Sequence, residues 1–94
     1  MKKLKEIKKK IWPEYFEKVL SGKKKFEVRL ADFEIEEGDI LILEEYNPET
    51  KKYTGRTIKK KVGYILHTKD MEKMHSKEEI EKYGCYIIEM EDVE

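Results

Sequence analysis

Within the eight residues Gly22-Lys23-Lys24-Lys25-Phe26-Glu27-Val28-Arg29, the hydrophobic period of this chain changes from helical to extended. Upstream, Tyr15, Phe16, Val19 and Leu20 recur at helical spacing. Pro13 falls at a first helical position, where its missing N–H and fixed φ cost nothing. Glu14 and Glu17 sit near the positive end of the helix dipole. The pattern predicts a helix over Ile11–Leu20, closed by Gly22 in the left-handed conformation that glycine adopts freely. Trp12 is expected to pack against Phe16 across the helix N-terminus, with base stacking as its alternative role if the ring lies exposed beside the lysines. Downstream, Phe26, Val28 and Leu30 alternate with Glu27 and Arg29, which predicts a half-buried strand. A site is expected where the basic turn enters that strand.

The remainder reads mainly as strands. Met1 to Lys10 has apolar residues only at Leu4 and Ile7, and is either a lysine-protected edge strand or an arm. Gly38-Asp39 marks a turn. Ile40 to Leu43 is short and wholly aliphatic, as a buried strand is, and Glu44-Glu45-Tyr46 carries it toward the surface. Asn47-Pro48-Glu49-Thr50 opens a hairpin tip that closes near Gly55. Thr57 to His67 predicts a long strand with Ile58, Val62, Tyr64 and Leu66 on one face, bent or bulged at Gly63. Thr68 to Tyr83 predicts a second helix whose firm part, capped by the Ser76/Glu79 box, begins at Lys77. Cys85 to Met90, apolar on both faces, reads as an internal strand.

Consecutive strands joined by short turns argue against a doubly wound parallel sheet. They predict one α+β, mainly β domain over residues 1–94, with an arm over about 1–6 and a charged tail over about 92–94. The expected form is a small, mostly antiparallel barrel with two helices packed at its openings.

Charge bounds the function. Charged residues make up 45% of the chain, nearly all Lys and Glu, with no Gln and a single Asn. That bias resembles proteins built for high temperature. Ten aromatics and zero net charge argue against disorder. Residues 1–29 hold eleven Lys or Arg against four acids, a net charge of +7, and the rest hold ten against seventeen, a net charge of −7. A neutral chain can thus present one basic face suited to phosphate. Lys23, Lys25 and the Lys8-Lys9-Lys10 run are candidates for it, with Trp12, Tyr15 or Tyr53 stacking on bases. Alternation splits Lys59-Lys60-Lys61 between two faces.

The lone Cys85 reads as a small core residue in a reducing compartment. No apolar stretch approaches a membrane span and no signal core is present, so a cytoplasmic setting is expected. His67 and His75 lack the spacing and partners of a metal site. No phosphate loop or catalytic triad stands out, and no cofactor is expected.

Gly22-x-Lys24-x-x-Glu27-x-Arg29 resembles the G-x-K-x-x-E-x-R motif of ASCH domains in the PUA-like superfamily. Trp12-Pro13-Glu14-Tyr15-Phe16, Gly38-Asp39, Tyr46-Asn47-Pro48-Glu49-Thr50 and Tyr53-Thr54-Gly55-Arg56 extend the resemblance, to a small stand-alone subgroup without an assigned function. It covers roughly residues 7–91 and implies a PUA-like β-barrel with a cleft beside the helix-to-strand turn. The role it most often implies is RNA binding. A second implication is hydrolysis of N-acylated cytidine, in which a lysine matching Lys24 works with a hydroxyl residue and a carboxylate. Here Glu27 stands where that hydroxyl is expected.

Lys24, Glu27 and Arg29 are therefore the candidate ligand-binding set, and Lys24 with Glu27 the catalytic pair if the protein is an enzyme. A lysine nucleophile needs desolvation without a carboxylate beside it, so the trio suits recognition of RNA or a nucleotide-like ligand better than attack. A protein-interaction module is the third reading. Glu27 and Arg29 share a strand face that Lys24 joins only if the turn is irregular.

Overall fold

The structure, a computed structural model, describes residues 4–71 and 84–93. In chain order the elements are β1 (Glu6–Ile11), α1 (Pro13–Leu20), β2 (Phe26–Leu30), β3 (Ile40–Asn47), β4 (Lys52–His67), a 3₁₀ turn at Thr68–Met71, and β5 (Cys85–Asp92). The strands form one sheet in the order β1-β3-β4-β5-β2. Only β1–β3 is parallel, and the other neighbours are antiparallel. The sheet curls into a half barrel.

The aliphatic run lies at its centre. Leu41 and Leu43 of β3 and Ile88 of β5 are fully buried, and each such side chain stabilises the fold by about 1.5–3 kcal/mol. Phe16 and Val19 of α1, with Ile11, Ile35, Val62 and Met90, complete the core. Pro13 opens α1 as its sequence position predicts, and Gly22 follows it at φ +83°. Tyr15 and Leu20, expected on the apolar face, are exposed. An eight-residue helix on a small sheet can bury only a narrow stripe.

β2 reverses its sequence pattern. Its apolar residues Phe26, Val28 and Leu30 are about half exposed, whereas Glu27 is 3% exposed. Glu27 lies opposite the core residue Ile88, and Arg29 opposite Tyr86. The charged half of the alternation thus faces the concave side of the sheet.

Two irregularities shape β4. Between Val62 and Ile65 the register with β5 shifts, the bulge expected at Gly63. The Glu89 carboxylate accepts from the Tyr64 N–H there at 3.1 Å. Beyond the bulge, Ile65 turns to the core and Tyr64 to solvent. The face expected to carry Val62 and Tyr64 together is therefore broken. A second shift, between Glu44 and Tyr46, sets Thr54, Gly55 and Arg56 against Glu45 alone.

Asp39, beside the Gly38 turn, accepts from the N–H groups of Lys5 and Glu36 at 3.1 and 2.8 Å. That ties the loop before β3 to the start of β1. Cys85 is half-buried rather than in the core, and its N–H donates to Thr68 Oγ1 at 2.6 Å. The second helix expected from the sequence falls, beyond the turn at Thr68–Met71, outside the described residues, as does His75. No described helix is long and apolar enough to cross a membrane.

Candidate functional site

The edge strands β1 and β2 flank the open side of the half barrel, and α1 connects them. The Gly22 N–H returns to the Val19 carbonyl at 3.1 Å and the Lys24 N–H to that of Lys18 at 3.0 Å. The chain after the helix is therefore a fixed irregular turn rather than an early start to β2. Strand alternation does not apply to Lys24, and its side chain swings to the Glu27 side.

The three candidates meet. The Lys24 ammonium donates to the Phe26 carbonyl at 2.8 Å and to Glu27 Oε1. Arg29 Nε donates to Glu27 Oε2 at 2.7 Å, and Arg29 Nη2 to the Lys10 carbonyl at 2.7 Å. One buried carboxylate is held between two cations, which offsets the desolvation that would otherwise make its burial prohibitive. The cluster carries a net positive charge.

A cleft of about 440 Å³ opens over this cluster, with Trp12 and Tyr15 on one side and Lys10, Ile11 and Val28 completing its walls. Trp12 is half-exposed and stacks on Tyr15 with ring centroids 6.4 Å apart. Trp12 is thus not buried, whereas Phe16, against which it is expected to pack, is a core residue. The arrangement offers a flat aromatic surface beside fixed cationic hydrogen-bond donors.

Among the other lysine candidates only Lys10 lines the cleft. Lys23 is exposed and does not line the cleft. Lys25 borders a separate depression with Lys60, Glu91 and Asp92, which Lys24 also reaches. The Lys8-Lys9-Lys10 run is divided by the alternation of β1: Lys8 and Lys10 point outward, and the Lys9 ammonium lies 3.7 Å from the Phe33 ring centre. Tyr53 packs edge-on against Tyr46, where Lys10 Nζ lies 4.3 Å from the Tyr46 ring centre. It takes no part in the cleft. Among the described residues no cluster of three or more His, Cys, Asp or Glu side chains is placed to hold a metal.

A second polar cluster was not anticipated. Glu45, expected near the surface, is 3% exposed. It accepts from Thr54 Oγ1 at 2.5 Å and from Arg56 Nε and Nη2 at 2.9 and 2.8 Å. Arg56 also donates to Glu17 at 2.6 Å and lies 4.6 Å from the Phe16 ring centre, so it fastens the β3–β4 bulge to α1. Hydrogen bonding from Arg56, then from Thr54, holds the Glu45 carboxyl below the usual carboxylate range, and Glu45 raises Arg56 in return. The available signal was alternation itself, since Glu45 shares a strand face with Leu41 and Leu43.

Residues 7–80 match the family described as "Domain of unknown function (DUF3850)". The chain belongs to this family. A DUF3850 assignment brings the fold and the motif region under one family without attaching a reaction to them. The structure is similar to the crystal structure of hypothetical protein PH0355, with a TM-score of 0.63 and 25% identity, over 94% of this chain and 99% of that one. No curated protein matches this DUF3850 chain.

Proposed function

We propose that this DUF3850 domain is a recognition module of the ASCH type, within the PUA-like superfamily, that binds RNA or a nucleotide-like ligand in the cleft over Glu27. The observation that carries the reading is the half-exposed Trp12 ring, stacked on Tyr15, beside the Lys24–Glu27–Arg29 cluster in a cleft of about 440 Å³. Aromatic faces accept any base, and cationic donors supply polar contacts. The depression on the far side of Trp12 is lined by Glu14 and Glu49, a poor neighbour for phosphate. A strand would leave past Lys24 toward Lys25 and Lys60, which share the next depression.

Recognition is favoured over hydrolysis because the Lys24 ammonium is committed to two acceptors and Glu27 to two cations. Titration of short single-stranded RNAs at two salt concentrations tests the proposal. Affinity should fall with a log–log slope of about −0.7 per phosphate neutralised. Trp12→Ala should weaken binding by between about fivefold and a hundredfold, the value of one stacked base. Absence of binding at the lower salt, for RNA and mononucleotides alike, would sink the reading. Release of free cytidine from acylated cytidine, abolished by Lys24→Ala, would replace it with the hydrolase.

A further inference from the structure

The hydrogen-bonding inventory of the cleft is one-sided. Glu27 Oε1 is taken by Lys24 and Oε2 by Arg29, and the Lys10 carbonyl is taken by Arg29. Each of these oxygens keeps a second lone pair, but the Glu27 carboxylate is 3% exposed, so the acceptors at the cluster are largely withheld from a ligand. The donors are not. A guanidinium carries five N–H bonds, and Arg29 commits its Nε hydrogen and one on Nη2. Both hydrogens on Nη1 and the second on Nη2 remain. Lys24 commits two of its three hydrogens. Both side chains line the cleft.

A guanidinium edge is best matched by two neighbouring acceptors, and a mixed donor–acceptor edge sets donor against donor. Resting on the reading of the cleft as a base site, we infer that it selects bases carrying two adjacent acceptors. Guanine offers N7 with O6, and cytosine offers O2 with N3. Adenine places an amino group beside each of N1 and N7, and uracil places an N–H between its carbonyls. Either would bring a donor to face Arg29 or Lys24. Trp12 and Tyr15 hold the ring plane, and the uncommitted donors read its edge.

The chain has one tryptophan, Trp12, so intrinsic fluorescence reports directly on the ring that stacks. The intact chain is titrated with guanosine, cytidine, adenosine and uridine, and with inorganic phosphate as competitor. Guanosine and cytidine should bind at least about tenfold tighter than the other two, the lower range for a good bidentate contact. 7-Deazaguanosine, which lacks one acceptor of the pair, should lose that advantage on the unaltered protein. Arg29→Lys should level the four affinities while quenching persists. Equal affinities for all four nucleosides would overturn the selectivity and leave base binding standing. Phosphate competing at the concentration of guanosine would overturn it by making Arg29 an anion site. No quenching by any nucleoside would overturn both this inference and the base-binding reading beneath it.

Discussion

Arg29 on one edge strand donates through Nη2 to the backbone carbonyl of Lys10 on the other, at 2.7 Å. β1 and β2 lie at opposite ends of the strand order, so this contact spans the open side of the half barrel. The same guanidinium fixes Glu27 through Nε. Closure of the sheet and assembly of the cluster thus depend on one side chain whose planar fork can serve two acceptors in different directions.

Arg29→Lys should separate those roles. A lysine point charge can still reach Glu27 but cannot hold both acceptors in one plane. Amide exchange at Ile11 and Trp12, next to the Lys10 carbonyl, should quicken by roughly fivefold, the loss of about 1 kcal/mol of local stability. Unchanged exchange there would show that the seam is held by the core alone.

The Glu45 cluster predicts a pH effect. Because the folded-state pKa of Glu45 is depressed by Arg56 and Thr54, the stabilisation is complete above the unfolded value of about 4.3 and fades as pH falls through the lower folded value. Glu45→Gln should therefore be less stable than the natural protein at pH 7, with the gap closing toward pH 3. Thermal melts at the two pH values measure this. Arg56→Leu, which strands the buried carboxylate, should lower the midpoint at neutral pH by roughly 10 °C, and by less in acid.

The elements that could be read from the sequence are those whose local chemistry and burial agree. Pro13 and Gly22 bracket α1, the run from Leu41 to Leu43 is buried, and Gly63 marks a bulge. β2 could be placed but not oriented: Phe26, Val28 and Leu30 signal an inward apolar face, yet tertiary pairing of Lys24 and Arg29 with Glu27 reverses it. The site trio was readable as a motif. Its convergence was not, because it rests on a non-repetitive turn that alternation cannot describe. The burial of Glu45 was readable from its alternation with Leu41 and Leu43, but its pairing was not. Its partners Thr54 and Arg56 reach it only through a register shift invisible in a hydropathy pattern.

The reversal of β2 can be measured. Phe26→Ser and Val28→Thr should each cost no more than about 0.5 kcal/mol, as exposed substitutions do. Ile88→Ala, across the ladder from Glu27 and fully buried, should cost about 2–5 kcal/mol. Denaturant melts rank them. A loss above about 2 kcal/mol at Val28 would place that side chain in a core and refute the orientation.

Gly22 lies in the turn that leads into the candidate site. At φ +83°, a side chain here has no neighbouring heavy atom within 4 Å to clash with. The cost of Gly22→Ala is therefore backbone strain alone, about 1–2 kcal/mol, and Gly22→Asn should cost less because asparagine tolerates this region. The two variants separate stability from site geometry. If the left-handed residue is what carries Lys24 out of strand alternation to Glu27, then Ala should weaken ligand-induced quenching of Trp12 by more than Asn does. The order should persist at a temperature where both variants remain fully folded. Equal quenching in the two would mean that Lys24 reaches Glu27 through its own flexible stem, whatever the turn conformation.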